Sequence, residues 1–256
     1  MVKPGEVVVI DDAGITSYQA ESPRTALCVF EYVYFARPDS RFDGQEIGDS
    51  RQKMGEFLAE EAPVEADVVI PVPDSGMMAA VGYSRRSGIP YGEGLIKNRY
   101  VGRTFIQPTD GMRQIGLRLK LNPLPSVIEG KKVVVVDDSI VRGNTSRKLV
   151  KLLFEVGAVE VHFRVSSPPI TGPCYYGIDM DSPDQLVGAN YTVEEIRAQI
   201  GATTLAYLST EAMISATEQP KNRLCRACFD GDYPTTGTAS KFALENKTHY
   251  TATRGG

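Results

Sequence analysis

Two adjacent acids, Asp137 and Asp138, follow the run Val133-Val134-Val135-Val136 and precede Ser139-Ile140-Val141-Arg142-Gly143-Asn144-Thr145. An apolar strand that carries carboxylates to its C-terminal end puts them where open α/β sheets bind ligands. The turn after them leads into a predicted helix from Thr145 to Val156. Free N–H groups and the dipole at a helix N-terminus favour an anion such as phosphate. Gly143 permits close backbone approach, and Thr145 adds a hydroxyl. Two carboxylates beside a phosphate would repel it unless they serve sugar hydroxyls or a divalent cation. The pattern fits a sugar phosphate with a second, metal-bound phosphate group. A bare pair of acids after a strand is a weak signal, more often an ordinary βα turn with acidic caps; the full string is far more specific.

A second turn of the same kind is Pro71-Val72-Pro73-Asp74-Ser75-Gly76, which offers N–H groups and a hydroxyl to an anion. Between the two turns, Lys97, Arg99 and Arg103 fall within seven residues, flanked by Gly94, Gly102 and Pro108. We read Lys97 to Asp110 as a mobile loop. Its cations could stabilise charge that grows on a leaving polyanion, and its closure could exclude water. A solvated charged loop is the plainer reading of the same run. The four cysteines are Cys28, Cys174, Cys225 and Cys228, the last two forming Cys-Arg-Ala-Cys. Their types allow a zinc site, a [4Fe–4S] cluster or plain buried thiols.

These groups need strands and helices to hold them. Asp67 to Val72 reads as a buried strand stopped by Pro73, and Gly76 to Ser87 as a helix ended by Gly88. Val133 to Val136 is apolar on both faces, as a central parallel strand is. The helix from Thr145 turns Leu149, Leu152 and Leu153 inward, and Val159 to Val165 is the next strand, which completes a βαβ unit. Ser50 to Glu61 reads as a helix with Met54, Phe57 and Leu58 on one side. Thr204 to Leu208 is a late strand followed by a helix from Ser209 to about Glu218. Residues 1–25 hold one short strand, Val7 to Ile10, and polar connections. The expected class is α/β, with a central, mostly parallel sheet flanked by helices.

The chain has 256 residues, 42% hydrophobic and 23% charged, with a formal net charge of −4. That balance argues against a protein built mainly to coat nucleic acid. No run of about 18 apolar residues marks a membrane span, and the N-terminus lacks a signal-peptide pattern. A cytoplasmic location is expected. His162 and His249 are the only histidines, and His162, placed in a strand, reads as structural.

The string from Val133 to Thr145 resembles the 5-phosphoribosyl-1-pyrophosphate (PRPP) signature of type I phosphoribosyltransferases. Cys28-Val29-Phe30-Glu31-Tyr32-Val33-Tyr34-Phe35-Ala36-Arg37-Pro38-Asp39-Ser40 narrows the resemblance to the glutamine PRPP amidotransferases, the amidophosphoribosyltransferases of purine biosynthesis. Gly111-Met112-Arg113, Lys120-Leu121-Asn122-Pro123 and Arg164-Val165-Ser166-Ser167-Pro168-Pro169 follow the same pattern. The resemblance runs from residue 1 to about 234. It implies the type I phosphoribosyltransferase fold, and PRPP held by Asp74, Ser75, Gly76, Asp137, Asp138, Ser139, Arg142, Gly143, Asn144 and Thr145. Magnesium would meet Ser75, Asp137 and Asp138. Lys97, Arg99, Tyr100 and Arg103 would belong to a catalytic loop over the pyrophosphate.

The Bacillus-like branch of that family has four cysteines in matching contexts. The resemblance therefore implies a [4Fe–4S] cluster on Cys28, Cys174, Cys225 and Cys228, with a structural or oxygen-sensing role. Pro4-Gly5-Glu6-Val7-Val8-Val9-Ile10 is similar to the last strand of the family's glutaminase domain. On that likeness, residues 1–25 are expected to be the end of that domain, 26–234 the transferase domain with its cysteine segment, and 235–256 a flexible tail. Glutamine hydrolysis is expected to be absent, and free ammonia, which a separate source could supply, to be the nucleophile. Homo-oligomers and inhibitory nucleotides are usual in the family; neither a nucleic acid nor a membrane partner is expected. A PRPP-binding regulator without catalysis and a salvage phosphoribosyltransferase are the rival readings. The first would bring a DNA-binding unit that neither end of the chain shows, and the second would leave the cysteines without a role.

Overall fold

The computed structural model describes residues 2–3, 5–19, 25–98, 121–178, 180 and 182–234. In chain order, strands β1 (Glu6–Asp11) and β2 (Gly14–Gln19) form an antiparallel hairpin, followed by β3 (Leu27–Cys28). A wide helical turn, Glu31–Phe35, leads to the short pair β4 (Arg41–Phe42) and β5 (Gln45–Glu46) and to helix α1 (Ile47–Glu61). Next come β6 (Val68–Pro71), α2 (Met77–Ser87), β7 (Leu95–Lys97), β8 (Leu121–Pro123) and α3 (Pro125–Ile128). The unit β9 (Lys132–Asp137), α4 (Asn144–Glu155), β10 (Glu160–Val165) follows. The chain continues with α5 (Val187–Asn190), α6 (Val193–Ile200), β11 (Thr204–Tyr207), α7 (Thr210–Thr217), β12 (Leu224–Cys225) and α8 (Ala227–Asp230).

The central sheet has the order β11-β10-β9-β6, and all of its pairs are parallel. Tyr91 adds a single parallel bridge to Val69 at the β6 edge. Val133 to Val136 are fully buried because both faces of β9 are covered. Val134 and Val136 join one apolar cluster with Met54, Leu58 and Tyr83 of α1 and α2. Val133 and Val135 join the other, with Leu149 and Leu153 of α4 and Ile196 of α6. Burial of one such side chain is worth about 1.5–3 kcal/mol.

Helices α1 and α2 cross in close contact because each has a glycine where they meet. A Cβ on Gly55 would lie 1.8 Å from the Ala79 carbonyl oxygen, and one on Gly82 would lie 1.9 Å from that of Gln52.

Several expectations shift. Helix α1 starts at Ile47, not Ser50. On α4 the buried stripe is Ser146, Leu149, Val150 and Leu153, and Leu152 is only half-buried. That stripe follows the i, i+3, i+4, i+7 rule, which Leu152 does not satisfy. Among the described residues, the first 25 positions hold two strands, not one; every residue of β2 is exposed, so it has no apolar alternation to mark it. Helices α5 and α6, not anticipated from the sequence, occupy the stretch before β11. Thr192 and Glu195 form a reciprocal capping box at the start of α6. Lys97 belongs to β7; residues 99–110 of the expected loop lie outside the described residues, as does the tail 235–256. Among the described residues, no helix is long and apolar enough to cross a membrane.

Candidate functional site: a cleft between two strand–helix loops

Strands β6 and β9 are neighbours, so the loops leaving their C-terminal ends lie side by side. The Val136 carbonyl joins them. It accepts from the Val72 N–H at 2.8 Å, and a Cβ on Gly76 would come within 2.3 Å of it. A residue larger than glycine at position 76 would push the first loop away from the second.

Both loops open on one cleft of about 570 Å³. Ser75, Asp137, Asp138, Ser139, Arg142, Gly143, Asn144 and Thr145 line it, so the structure brings together eight residues singled out in the sequence. Asp137 and Asp138 are nearly buried, at 8% and 7% exposure. The Asp138 N–H donates to Asp137 Oδ1 at 3.0 Å, and Ser139 Oγ donates to Asp138 Oδ2 at 2.5 Å. Burial, and then the adjacent Asp138, push the Asp137 carboxyl well above the usual carboxylate range. Its backbone carbonyl accepts from the Ser166 N–H at 2.9 Å, which fixes the end of β9 to the segment after β10.

Gly143 caps α4 at φ +72°, a conformation that side chains disfavour. No side chain caps this helix end, and Asn144 and Thr145 are exposed there. The first-turn N–H groups are therefore open to an anion. Asp74 and Gly76 belong to the first loop, and Asp74 Oδ2 accepts from Lys97 Nζ at 2.5 Å. Lys97 thus reaches the first loop from β7, which pairs antiparallel with β8. Arg99, Tyr100 and Arg103 lie outside the described residues.

Sequence reasoning missed part of the cleft's lining: Phe30, Tyr34, Phe35, Ile178 and Met180, which add an apolar wall to it. The first three come from the wide turn Glu31–Phe35 and the residue before it, where the Ala36 N–H donates to the Glu31 carbonyl at 3.1 Å. The aromatic content of this segment was the available signal; nothing in the sequence marks residues 178 and 180.

The four cysteines surround a second cavity of about 750 Å³. Parallel pairing of β3 with β12 sets Cys28 opposite Cys225. Thr171 and Gly172 donate to the Cys228 carbonyl at 2.9 and 3.0 Å, which brings in the Cys174 segment. Burial pushes the Cys28 thiol up to about 11, and Cys225 and Cys174 add to the rise. Burial and then Cys28, Cys174 and Cys225 raise Cys228 still further. Among the described residues, no group of three or more His, Cys, Asp or Glu could hold a metal ion. Phe35 and Ile178 line both cavities and form the partition between them.

A model of the phosphoribosyl transferase domain matches residues 43–173. The chain is 57% identical over 234 residues to amidophosphoribosyltransferase of Synechococcus elongatus, covering 91% of this chain and 48% of that protein. It is similar to the solved structure of glutamine PRPP amidotransferase from Bacillus subtilis complexed with ADP and GMP. There the TM-score is 0.80 and the identity 50%, over 91% of this chain and 52% of that one. A solved allosteric regulatory enzyme of purine biosynthesis gives a TM-score of 0.81 at 48% identity, over 93% and 53% of the two chains. The chain spans about half the length of these relatives. The fold is that of the type I phosphoribosyltransferases, its parallel sheet carrying the diacid loop at the C-terminal end of an interior strand, and the chain belongs to the phosphoribosyl transferase domain family.

Proposed function

We propose that the chain is the transferase part of an amidophosphoribosyltransferase: it binds PRPP and replaces the pyrophosphate at ribose C1 with ammonia. The observation that carries this reading is the convergence of Ser75 and the Asp137–Thr145 loop on one cleft, with two nearly buried carboxylates beside an uncapped helix end. The α4 N-terminus and the turn Arg142–Thr145 take the 5-phosphate. Asp137 and Asp138 take the ribose hydroxyls. The loop of Asp74, Ser75 and Gly76 takes the pyrophosphate.

Two adjacent carboxylates with a nearby hydroxyl suit magnesium, which is usually held by one or two carboxylates and the substrate's own phosphates rather than by a protein cage. Ser75, Asp137 and Asp138 would hold it, and its charge would neutralise the departing pyrophosphate. In the reaction, the ammonia lone pair forms the C1–N bond as the C1–O bond to pyrophosphate breaks on the opposite face. The new ammonium group then gives a proton to solvent. Lys97, with Arg99, Tyr100 and Arg103, meets the charge that grows on the leaving group. Orientation and electrostatics supply the acceleration, so no side-chain nucleophile is needed.

Four thiols around one cavity are the ligand type of a [4Fe–4S] cluster, which takes one cysteine per iron. Cys28, Cys174, Cys225 and Cys228 would hold it, linking the start of the transferase domain to its last segment. The relative solved with ADP and GMP supports nucleotide inhibitors for this chain as well. A homo-oligomeric, cytoplasmic enzyme of purine biosynthesis completes the reading. Incubation with PRPP, magnesium and ammonium chloride tests it. Ammonia-dependent pyrophosphate release supports transfer, and PRPP binding without turnover would make the protein a regulator instead.

A further inference from the structure

Arg51 lies on α1 at helical spacing with Met54 and Leu58, on the face turned inward, and is only 4% exposed although it carries a charge. Its guanidinium is spent on one short stretch of backbone. Nε donates to the Tyr32 carbonyl at 2.7 Å, and Nη2 donates to the carbonyls of Ala36 at 2.8 Å and Glu31 at 3.3 Å. These carbonyls belong to the turn that presents Phe30, Tyr34 and Phe35 to the cleft. The diacid loop lines the same cleft. Burial pulls the Arg51 guanidinium below its ordinary range; the field of Asp138, and then that of Glu31, opposes this. Arg51 thus bonds to one wall of the cleft and is attracted by the diacid loop.

We propose that Arg51 is a positioning residue for the PRPP site: its planar fork fastens the Glu31–Ala36 turn so that the aromatic wall stands at a fixed distance from the Asp137–Thr145 loop. The assignment of ligand rests on the transferase reading above. A guanidinium suits the task because it presents several donors in one rigid plane, whereas an ammonium is a point charge on a flexible stem. With Arg51 removed, three carbonyls lose a partner and the turn has no other side-chain bond to α1 among those described. The wall could then drift, and a bound ribose phosphate would lose its packing before it lost its charge contacts.

The test compares Arg51→Met, Arg51→Lys and, as a control on the same helix, Lys53→Met. Lys53 pairs at the surface with Glu218, away from the cleft. KM for PRPP and kcat per folded enzyme come from ammonia-dependent pyrophosphate release, and amide hydrogen exchange is followed across residues 30–36. Arg51→Met should raise KM about tenfold with a smaller fall in kcat, and should speed exchange in the turn. Arg51→Lys should lie between it and the wild type, and Lys53→Met should match the wild type. Should Arg51→Met fail to fold, Arg51→Lys alone must show the rise in KM. A lower melting temperature with KM unchanged in the folded variants overturns the proposal while the transferase reading stands. Wild-type protein that neither binds nor turns over PRPP sinks both the transferase reading and the ligand assigned to Arg51. Hydrogen exchange still decides whether Arg51 fastens the turn.

Discussion

Lys97 Nζ lies 2.5 Å from Asp74 Oδ2, so the base of the cationic segment is tied to the loop that follows β6. Both side chains are half-exposed, and such pairs add only about 0–1 kcal/mol to stability. A pyrophosphate carries more charge than one carboxylate and should displace Asp74 from the lysine. Lys97→Ala should therefore lower kcat by about a hundredfold and leave the melting temperature almost unchanged. Steady-state pyrophosphate release and a thermal melt check both halves; retained activity would remove Lys97 from the mechanism.

Asp137→Asn should cut turnover by about a hundredfold or more without loss of folding. Burial and Asp138 already disfavour the charge on Asp137, so a neutral isostere relieves repulsion. Circular dichroism and the pyrophosphate assay decide it. An unfolded variant would make the carboxylate structural.

Gly76→Ala should weaken PRPP binding more than it weakens the fold. Its Cβ would meet the Val136 carbonyl oxygen at 2.3 Å, and only a shift of the first loop relieves the clash. Overpacking of this kind costs about 1–3 kcal/mol. Titration calorimetry with PRPP and magnesium, beside a denaturant melt, separates the two effects. Unchanged affinity would mean that the loop does not touch the ligand.

Much of this site could be read in advance because its elements carry local signals. Val133 to Val136 are apolar on both faces, as only a doubly covered strand is, and Gly143 and Gly88 mark helix ends by their backbone freedom. The aromatic wall could not be read, since it depends on a turn with an i to i+5 bond at Ala36 and on an arginine from another element. Arg51 shares a helix face with Met54 and Leu58, but only the fold shows which backbone carbonyls its guanidinium meets. Strand β2 was invisible for the opposite reason: no residue in it is buried, so only its pairing with β1 defines it.

Protein purified without oxygen should be brown and contain about four irons per chain, and Cys225→Ser should lose both properties. A colourless, iron-free wild type would remove the cluster. In metal-free protein, Cys28, pushed up to about 11, should react with an alkylating reagent at pH 8 about a hundredfold more slowly than an ordinary thiol. Mass spectrometry of the labelled peptide measures this.

His162 gives stability a pH dependence. It is buried on β10, with Nδ1 3.0 Å from Thr204 Oγ1 and Nε2 facing Glu160 Oε2 at 3.0 Å without the alignment of a hydrogen bond. Burial and then Arg164 lower its pKa from the usual 6.5, with Glu160 opposing. The unfolded chain therefore takes up the proton first. This contribution to stability is complete above pH 6.5 and is lost as pH falls towards the lowered value in the folded state. Melting temperatures between pH 7.5 and 5 should fall in the wild type and fall less in His162→Gln.

The pairing of Cys28 with Cys225 joins residues nearly two hundred positions apart. At a synthesis rate of about 5–20 residues per second, β3 leaves the ribosome about 10–40 s before its partner β12 exists. Over that interval the thiol of Cys28 has none of the company that Cys225 and Cys228 later give it. The cysteine cavity is therefore among the last parts of the described structure to close, and a nascent chain halted before residue 225 would carry the diacid loop complete but this cavity open on one side.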